Sequence, residues 1–288
     1  MRKIQFILLF ILLATSQAPA SSSRESTETV PRRIISTAPS ITEILYALGQ
    51  QDRLVGVTSY CDFPPEAQQK TVIGDFASPN LETILRLRPD LVVLLSDRGD
   101  VREKLRPFHI PLLVLTQNTL SDIFDSIHRL ADRIGCADEG RALASRLRAE
   151  LDRVRAGQSG RPRPRVLFIV SRTPGALNEI YTVGRDCYIG ELIDLAGGDN
   201  VFGEARAIYP KVSVEEILAR NPDIIIDMSM GGSETAQVAQ RVRDLWEDFP
   251  TISAAKNGRI YALDSDMFII PGPRVVEAAR RLSAIFHR

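Results

Sequence analysis

Cysteine is scarce in this chain. Cys61, Cys136 and Cys187 are the three present in 288 residues, so at least one thiol has no partner within the chain, and their spacing matches no zinc knuckle. Histidine is equally rare, and His109, His128 and His287 stand far apart without ligand spacing; His128 lies on a helix between core positions, where a histidine is more often packed than metal-bound. There is no excess of charge of either sign. With 36 basic and 36 acidic residues, the chain presents no net field to draw nucleic acid or an anionic membrane.

The motifs of common catalysts are missing as well. No phosphate loop, dinucleotide glycine fingerprint, nucleophile elbow or HExxH zinc helix occurs. Ser253-Ala-Ala-Lys256 has the serine–lysine spacing of penicillin-recognising enzymes, but its SDN and KTG companions are absent. It reads as a polar turn ending in Asn257-Gly258. A secreted enzyme of another kind would need a clustered acid–base pair, for which Asp97, Asp266 and Arg274 are the available ingredients.

Long apolar runs are lacking except at the start. Arg2 and Lys3 lead a nine-residue apolar run, Phe6 to Ala14, and then comes Ala18-Pro19-Ala20. A membrane span needs about 20 apolar residues, so the pattern predicts a secretory signal peptide over 1–20, cleaved after Ala20. The first cysteine is Cys61, which leaves no lipid-accepting cysteine at the cleavage site. Residues 21–30, SSSRESTETV, read as a disordered polar leader. Beyond the leader the chain is ordinary globular material, 44% hydrophobic and 25% charged overall, long enough for two domains.

The informative feature is an internal duplication. LETILRLRPDLVVL (Leu81 to Leu94) and VEEILARNPDIIID (Val214 to Asp227) align so that Glu82 falls on Glu215, Leu85 on Leu218, Pro89 on Pro222 and Asp90 on Asp223. Asn80 and Ser213 are N-cap residues, and each leads into an i, i+3, i+4 apolar face. The helix ends at proline, since the residue before Pro89 or Pro222 is forced out of the right-handed region. A continuous aliphatic run then predicts a buried parallel strand. A weaker echo precedes each copy: TEILYALGQQDRLVGV and GELIDLAGGDNVF share a glutamate, aliphatics and a helix-ending glycine, Gly49 or Gly197.

Strands and helices alternate on both sides of Ala137 to Ala156, whose Leu143, Leu147, Leu151 and Val154 make one narrow apolar stripe. The prediction is an α/β protein of two similar lobes, 31–136 and 161–288, with mainly parallel sheets. One long backbone helix within 137–160 joins them, and a ligand cleft lies between.

Several stretches carry a family resemblance: STAPSITEILYALG, VGVTSYCDFPPEA, GDFASPNLETILRLRPDLVV, GGDNVF, YPKVSVEEILARNPDIIID and NGRIYALDSDMF. They resemble the helical-backbone class (class III) of periplasmic substrate-binding proteins of ABC importers, over nearly the whole chain after the leader. SYCDFPP together with PNLE is most like the cobalamin-binding members. The resemblance implies a non-enzymatic, monomeric periplasmic protein without a resident cofactor, which captures a corrinoid such as cobalamin or cobinamide and hands it to an ABC permease. Haem or a ferric siderophore is the alternative metal-chelate cargo on the same scaffold, and a ligand-free adaptor with a filled cleft is a further one.

It also assigns roles. Glu82 and Glu215 match the glutamates that dock on the permease; as an alternative, an acid in the first helical turn offsets the helix dipole by about 0.3–1 kcal/mol. Glu216 already completes a capping box with Ser213, which leaves Glu215 free. Tyr60, Phe76, Tyr181, Tyr209, Asp266 and Arg274 match the ligand-lining positions, where a flat macrocycle gains about 0.5–1.5 kcal/mol per aromatic contact beyond area. At Phe76, Leu95, Tyr209 and Met267 the cobalamin binders have tryptophan, and their lobe-two disulfide has no counterpart here, since Ala196 and Ser283 occupy those neighbourhoods. Trp246 falls outside the cleft segments. Cys61, beside Tyr60, has no match in those relatives, and a thiol or phenol there would approach a bound metal centre.

Overall fold

The computed structural model describes residues 30–96, 99–228, 235–263 and 266–288. The stretch expected to be a signal peptide, residues 21–29 of the expected leader over 21–30, and Asp97 lie outside the described residues. In the first lobe the order is β1 (Ile34–Ser36), α1 (Pro39–Ala47), β2 (Leu54–Val57), β3 (Thr71–Val72), α2 (Leu81–Arg86), β4 (Leu91–Leu95), α3 (Gly99–Leu105), β5 (Leu112–Leu115) and α4 (Leu120–Arg133). Its strands form a parallel sheet in the order β3-β2-β1-β4-β5. Then comes α5 (Ala137–Ala156), a single helix over the predicted residues.

The second lobe contains β6 (Arg165–Ser171), β7 (Ile180–Thr182), α6 (Tyr188–Leu195), β8 (Asp199–Asn200), β9 (Lys211–Val212), α7 (Val214–Arg220), β10 (Ile224–Asp227), α8 (Ala236–Asp244), α9 (Ser253–Lys256), β11 (Ile260–Ala262), α10 (Asp266–Ile269) and α11 (Val275–Phe286). Its sheet runs β11-β10-β6-β7-β9, with β8 also on β6. Here the expectation of one repeated topology needs refinement, because β7 is antiparallel to both neighbours. The connection from β6 to β7 spans only 172–179, shorter than the crossover of about a dozen residues that a parallel neighbour requires. The Ser253 to Lys256 stretch is also corrected: it is one turn of α-helix, and the turn comes after it at Gly258, φ 64°.

The duplication persists in the hydrogen bonding. Asp90 accepts the backbone N–H groups of Arg32 and Arg33, both at 2.8 Å, where the chain enters β1. Asp223 does the same for Arg165 N–H at 2.9 Å, where the chain enters β6. Arg33 and Arg165 return the contact by donating to carbonyls at the ends of α2 and α7, Leu87 O and Arg220 O, groups that have no partner within a helix. Each repeat therefore ties helix end to strand start in the same way.

Alternation along the strands explains why both faces of each sheet are dry. Leu91 and Val93 face a core shared with Ile34, while Val92 and Leu94 face a second cluster with Ile35, Ile73 and Ile84. In the second lobe Ile224 and Ile226 join the shared core, and Ile225 packs outward with Leu167, Ile169 and Trp246. The shared core is continuous across both lobes. It runs along α5, which buries Leu143, Leu147 and Leu151 and packs on α4 from one side and on α6 and α11 from the other. Gly140 makes this approach possible, since a Cβ there would sit 2.4 Å from that of Ala131 on α4. Polar ties reinforce the join, with Tyr188 N–H donating to Asn118 O at 2.7 Å and Leu120 N–H to Glu191 Oε2 at 2.6 Å. Among the described residues no helix is long and apolar enough to cross a membrane.

Candidate ligand cleft

Ligands of open α/β sheets bind beyond the carboxyl ends of the strands, and here those ends frame a cavity of about 450 Å³ between the lobes. The first lobe supplies Leu95 at the end of β4, Pro39 and Ser40 at the start of α1, and Tyr60 and Phe76 from the loops after β2 and β3. The second lobe closes it with Asp266 and Ile269 of α10 and with Pro271. Pro39 occupies the first turn of α1 behind an extended Ala38, where a missing N–H costs nothing and a fixed φ suits the helix.

The lining is mostly apolar and solvent-facing. Tyr60 is 59% exposed and Ile269 47%, so both offer open apolar surface to the cavity. Phe76 both lines the cavity and packs at its edge on the shared core. Asp266 brings a carboxyl to an otherwise apolar wall and also borders an adjoining hollow, lined by Met267, Arg274 and Glu277. A concave apolar site with a few polar groups is the usual form of a small-molecule pocket.

Thus Tyr60, Phe76 and Asp266 share one cavity, along with Leu95. Tyr181 and Tyr209 do not line this cavity. Tyr181 sits on β7 opposite Lys211 of β9. Tyr209 lies beside the Cys187 thiol, and burial of its hydroxyl, with that thiol next to it, pushes its pKa well up. Arg274 is engaged elsewhere: its Nε and Nη2 donate to Glu43 Oε1 at 2.9 and 2.6 Å, and its guanidinium lies 4.4 Å from the centre of the Phe63 ring.

Cys61 is a correction. Its thiol is buried, at 2% exposure, and is hydrogen-bonded by Thr42 and Thr58, both at 3.2 Å, so it points into the core under α1 and not toward the cavity. Burial raises its pKa, which disfavours the thiolate a metal would need. All three cysteines are free and buried. Among the described residues, no group of three or more His, Cys, Asp or Glu side chains is placed to hold a metal ion.

Sequence reasoning missed Glu43. A glutamate on a helix ordinarily reads as a solvent-facing residue, yet the Glu43 side chain is 2% exposed and paired with Arg274. Its one available signal was its place among Ile41, Ile44 and Leu45, which are fully buried. Glu82 and Glu215 are exposed at the second positions of α2 and α7, and neither carboxylate has an ion pair or hydrogen bond among the described residues. Ser213 and Glu216 form the full capping box, so Glu215 is not needed for it.

The family model for periplasmic binding proteins matches residues 34–267. The chain belongs to the periplasmic binding protein family. A vitamin B12-binding protein of Vibrio parahaemolyticus is 31% identical over 85% of this chain and 86% of its own. Among solved structures, the periplasmic vitamin B12 binding protein BtuF of Vibrio cholerae is 28% identical, with TM-score 0.75 over 89% of this chain and 97% of that one. A periplasmic heme-binding protein from a Roseiflexus species is also 28% identical, with TM-score 0.76 over 89% and 98%. Family membership accounts for the missing catalytic motifs: this scaffold binds and carries.

Proposed function

We propose that this protein captures a corrinoid, cobalamin or cobinamide, in the cleft between its lobes and delivers it to an ABC permease. The reading is carried by the walls of the cavity. Tyr60, Phe76 and Leu95 face Asp266 and Ile269 across the lobe boundary, in a chain 31% identical to a vitamin B12-binding protein. Apolar and aromatic side chains suit the faces of a macrocycle, and each aromatic contact contributes about 0.5–1.5 kcal/mol beyond its area. Asp266 suits the amide N–H groups that fringe a corrin ring. Glu82 and Glu215 are the docking acids, and we take the protein to be a monomer exported on residues 1–20, with a leader over 21–30, lobes over 31–136 and 161–288 and a connection over 137–160.

Calorimetric titration of the purified mature protein with cobalamin and with cobinamide tests the reading. Saturable one-to-one binding is expected, and no heat with either corrinoid overturns it. Haem is the second cargo to test, because a heme-binding protein is a near structural match and the Tyr60 phenol is the one iron-ligating group of the haem-protein repertoire on the described cavity wall. Saturation with haem alone would move the function there.

A further inference from the structure

We propose that Glu43 is a positioning residue that sets the width of the cleft, holding Arg274 across the lobe boundary so that Arg274 braces Phe63 against the opposite wall. The inference rests on the cavity being the ligand site. Glu43 belongs to α1 of the first lobe, and Arg274 precedes α11 of the second, 231 positions away. Their side chains are 2% and 14% exposed, so water screens the pair little. The turn carrying Arg274 is continuous with Asp266, Ile269 and Pro271 of one cavity wall. Phe63, under the guanidinium, neighbours Asp62 of the other wall.

The join is closely fitted. Both Arg274 donors converge on Oε1, which leaves Oε2 with no hydrogen-bond partner and buried. That oxygen lies against Gly272, where a Cβ would come within 3.0 Å of it. A side chain at 272 would therefore press on the Glu43 carboxylate, whereas loss of either charged partner removes the tie between the walls. A second ion pair ties α11 to the rest of the molecule, Arg280 with Glu150 of α5; its arginine is exposed and its glutamate partly buried, it reaches the backbone helix, and neither residue borders the cavity.

The test measures the wall spacing directly and independently of cargo. Spin labels at Lys104→Cys on α3 and Gln237→Cys on α8, both exposed, report the distance between the lobes, since the native cysteines are buried. In ligand-free protein we expect Glu43→Ala and Arg274→Ala to broaden the parent's distance distribution, and Glu150→Ala to leave it unchanged. A cleft that is no longer held in shape binds its larger cargo less well, so the cobalamin Kd should rise about tenfold or more, with a smaller change for cobinamide, which lacks the nucleotide loop. Should Glu43→Ala not fold, Glu43→Gln reads the same distances. Parental distances in folded Glu43 and Arg274 variants overturn the proposal, and so does an equal loss of both corrinoids at unchanged distance, which would make Glu43 a ligand contact. If the parent binds neither corrinoid, the cargo reading falls while the distances still judge the brace.

Discussion

Arg88 and Asn221 hold equivalent places in the two lobes and share one left-handed backbone, with φ of 44° and 42°. Each ends a repeat helix and precedes its proline. The duplicated chain has kept the turn while changing the residue that makes it. The two residues differ in how well they tolerate it, because Asn visits this region readily and Arg does not. Asn221 also has a second task, since its Oδ1 accepts Ser253 N–H at 2.8 Å.

The two positions should therefore respond in opposite directions to glycine. Arg88→Gly relieves the backbone and is expected to stabilise the fold by about 0.5 kcal/mol, after allowing for the freer unfolded chain. Asn221→Gly loses the bond to Ser253 and should destabilise by about 1 kcal/mol. Denaturant midpoints, tracked through the fluorescence of the fully buried Trp246, decide between them. Equal shifts at both positions would mean that Asn221 carries no tie to α9.

Glu43 makes stability depend on pH in a direction that can be derived. Burial raises its pKa above the ordinary 4.5; the hydrogen bond and charge of Arg274 oppose the rise, and Asp266 and Glu277 add to it. In the pH range just above the ordinary value, the folded protein therefore binds a proton at Glu43 more readily than the unfolded chain does. The stabilisation from that proton is complete below the ordinary value and is lost as pH rises through the folded one. Compared with Glu43→Gln, which cannot titrate, the parent should gain Tm as pH is lowered from neutral toward 4.5. A Tm difference that instead moves against the parent on acidification would show that Arg274 outweighs burial. Arg274→Ala, which strands the acid, should cost about 3 kcal/mol near neutral pH.

The elements that the sequence made legible are those with a long period or a second copy. α5 was readable from its stripe of leucines, and the repeat strands from their aliphatic runs. β7, β9, α9 and α10 have two to four residues each, too few for any periodicity to show. Within the cleft, Tyr60, Phe76 and Asp266 were named only through the family resemblance; no local pattern marks them, since loops at strand ends come together only in the fold. The Glu43–Arg274 pair was not legible, because a contact spanning most of the chain leaves no local pattern. Cys61 and Tyr60 are neighbours that point to opposite sides, one under α1 and the other into the cavity, and composition cannot tell which goes where.

Tyr60 separates the two classes of cargo. Removing its hydroxyl leaves the ring available for stacking, so Tyr60→Phe should change corrinoid affinity less than about threefold, whereas Tyr60→Ala should weaken it by about 0.5–1.5 kcal/mol or more. If the cargo were haem held through the phenol oxygen, Tyr60→Phe alone would remove the axial ligand and shift the absorbance of the complex. Calorimetry and absorbance on the same two variants read both outcomes.

Glu82 and Glu215 carry the prediction that the duplication itself makes. They occupy the second position of equivalent helices, both are exposed, and neither is used by its own lobe. Charge reversal should leave folding nearly untouched, because exposed charges contribute little to stability, and corrinoid affinity should stay at the parental value because neither residue lines the cavity. Transport should fail. A permease arginine left facing a lysine, where it had a carboxylate, loses interaction on the order of 2–5 kcal/mol, and two such losses would abolish productive docking. The measurement is corrinoid uptake, or permease ATPase stimulation in vesicles, with Glu82→Lys, Glu215→Lys and the double variant. Single variants should be impaired and the double inactive, while calorimetry on the same preparations shows unchanged cargo binding. Normal stimulation by the double variant would reduce both acids to helix-dipole partners, and weakened cargo binding would place them in the cleft instead.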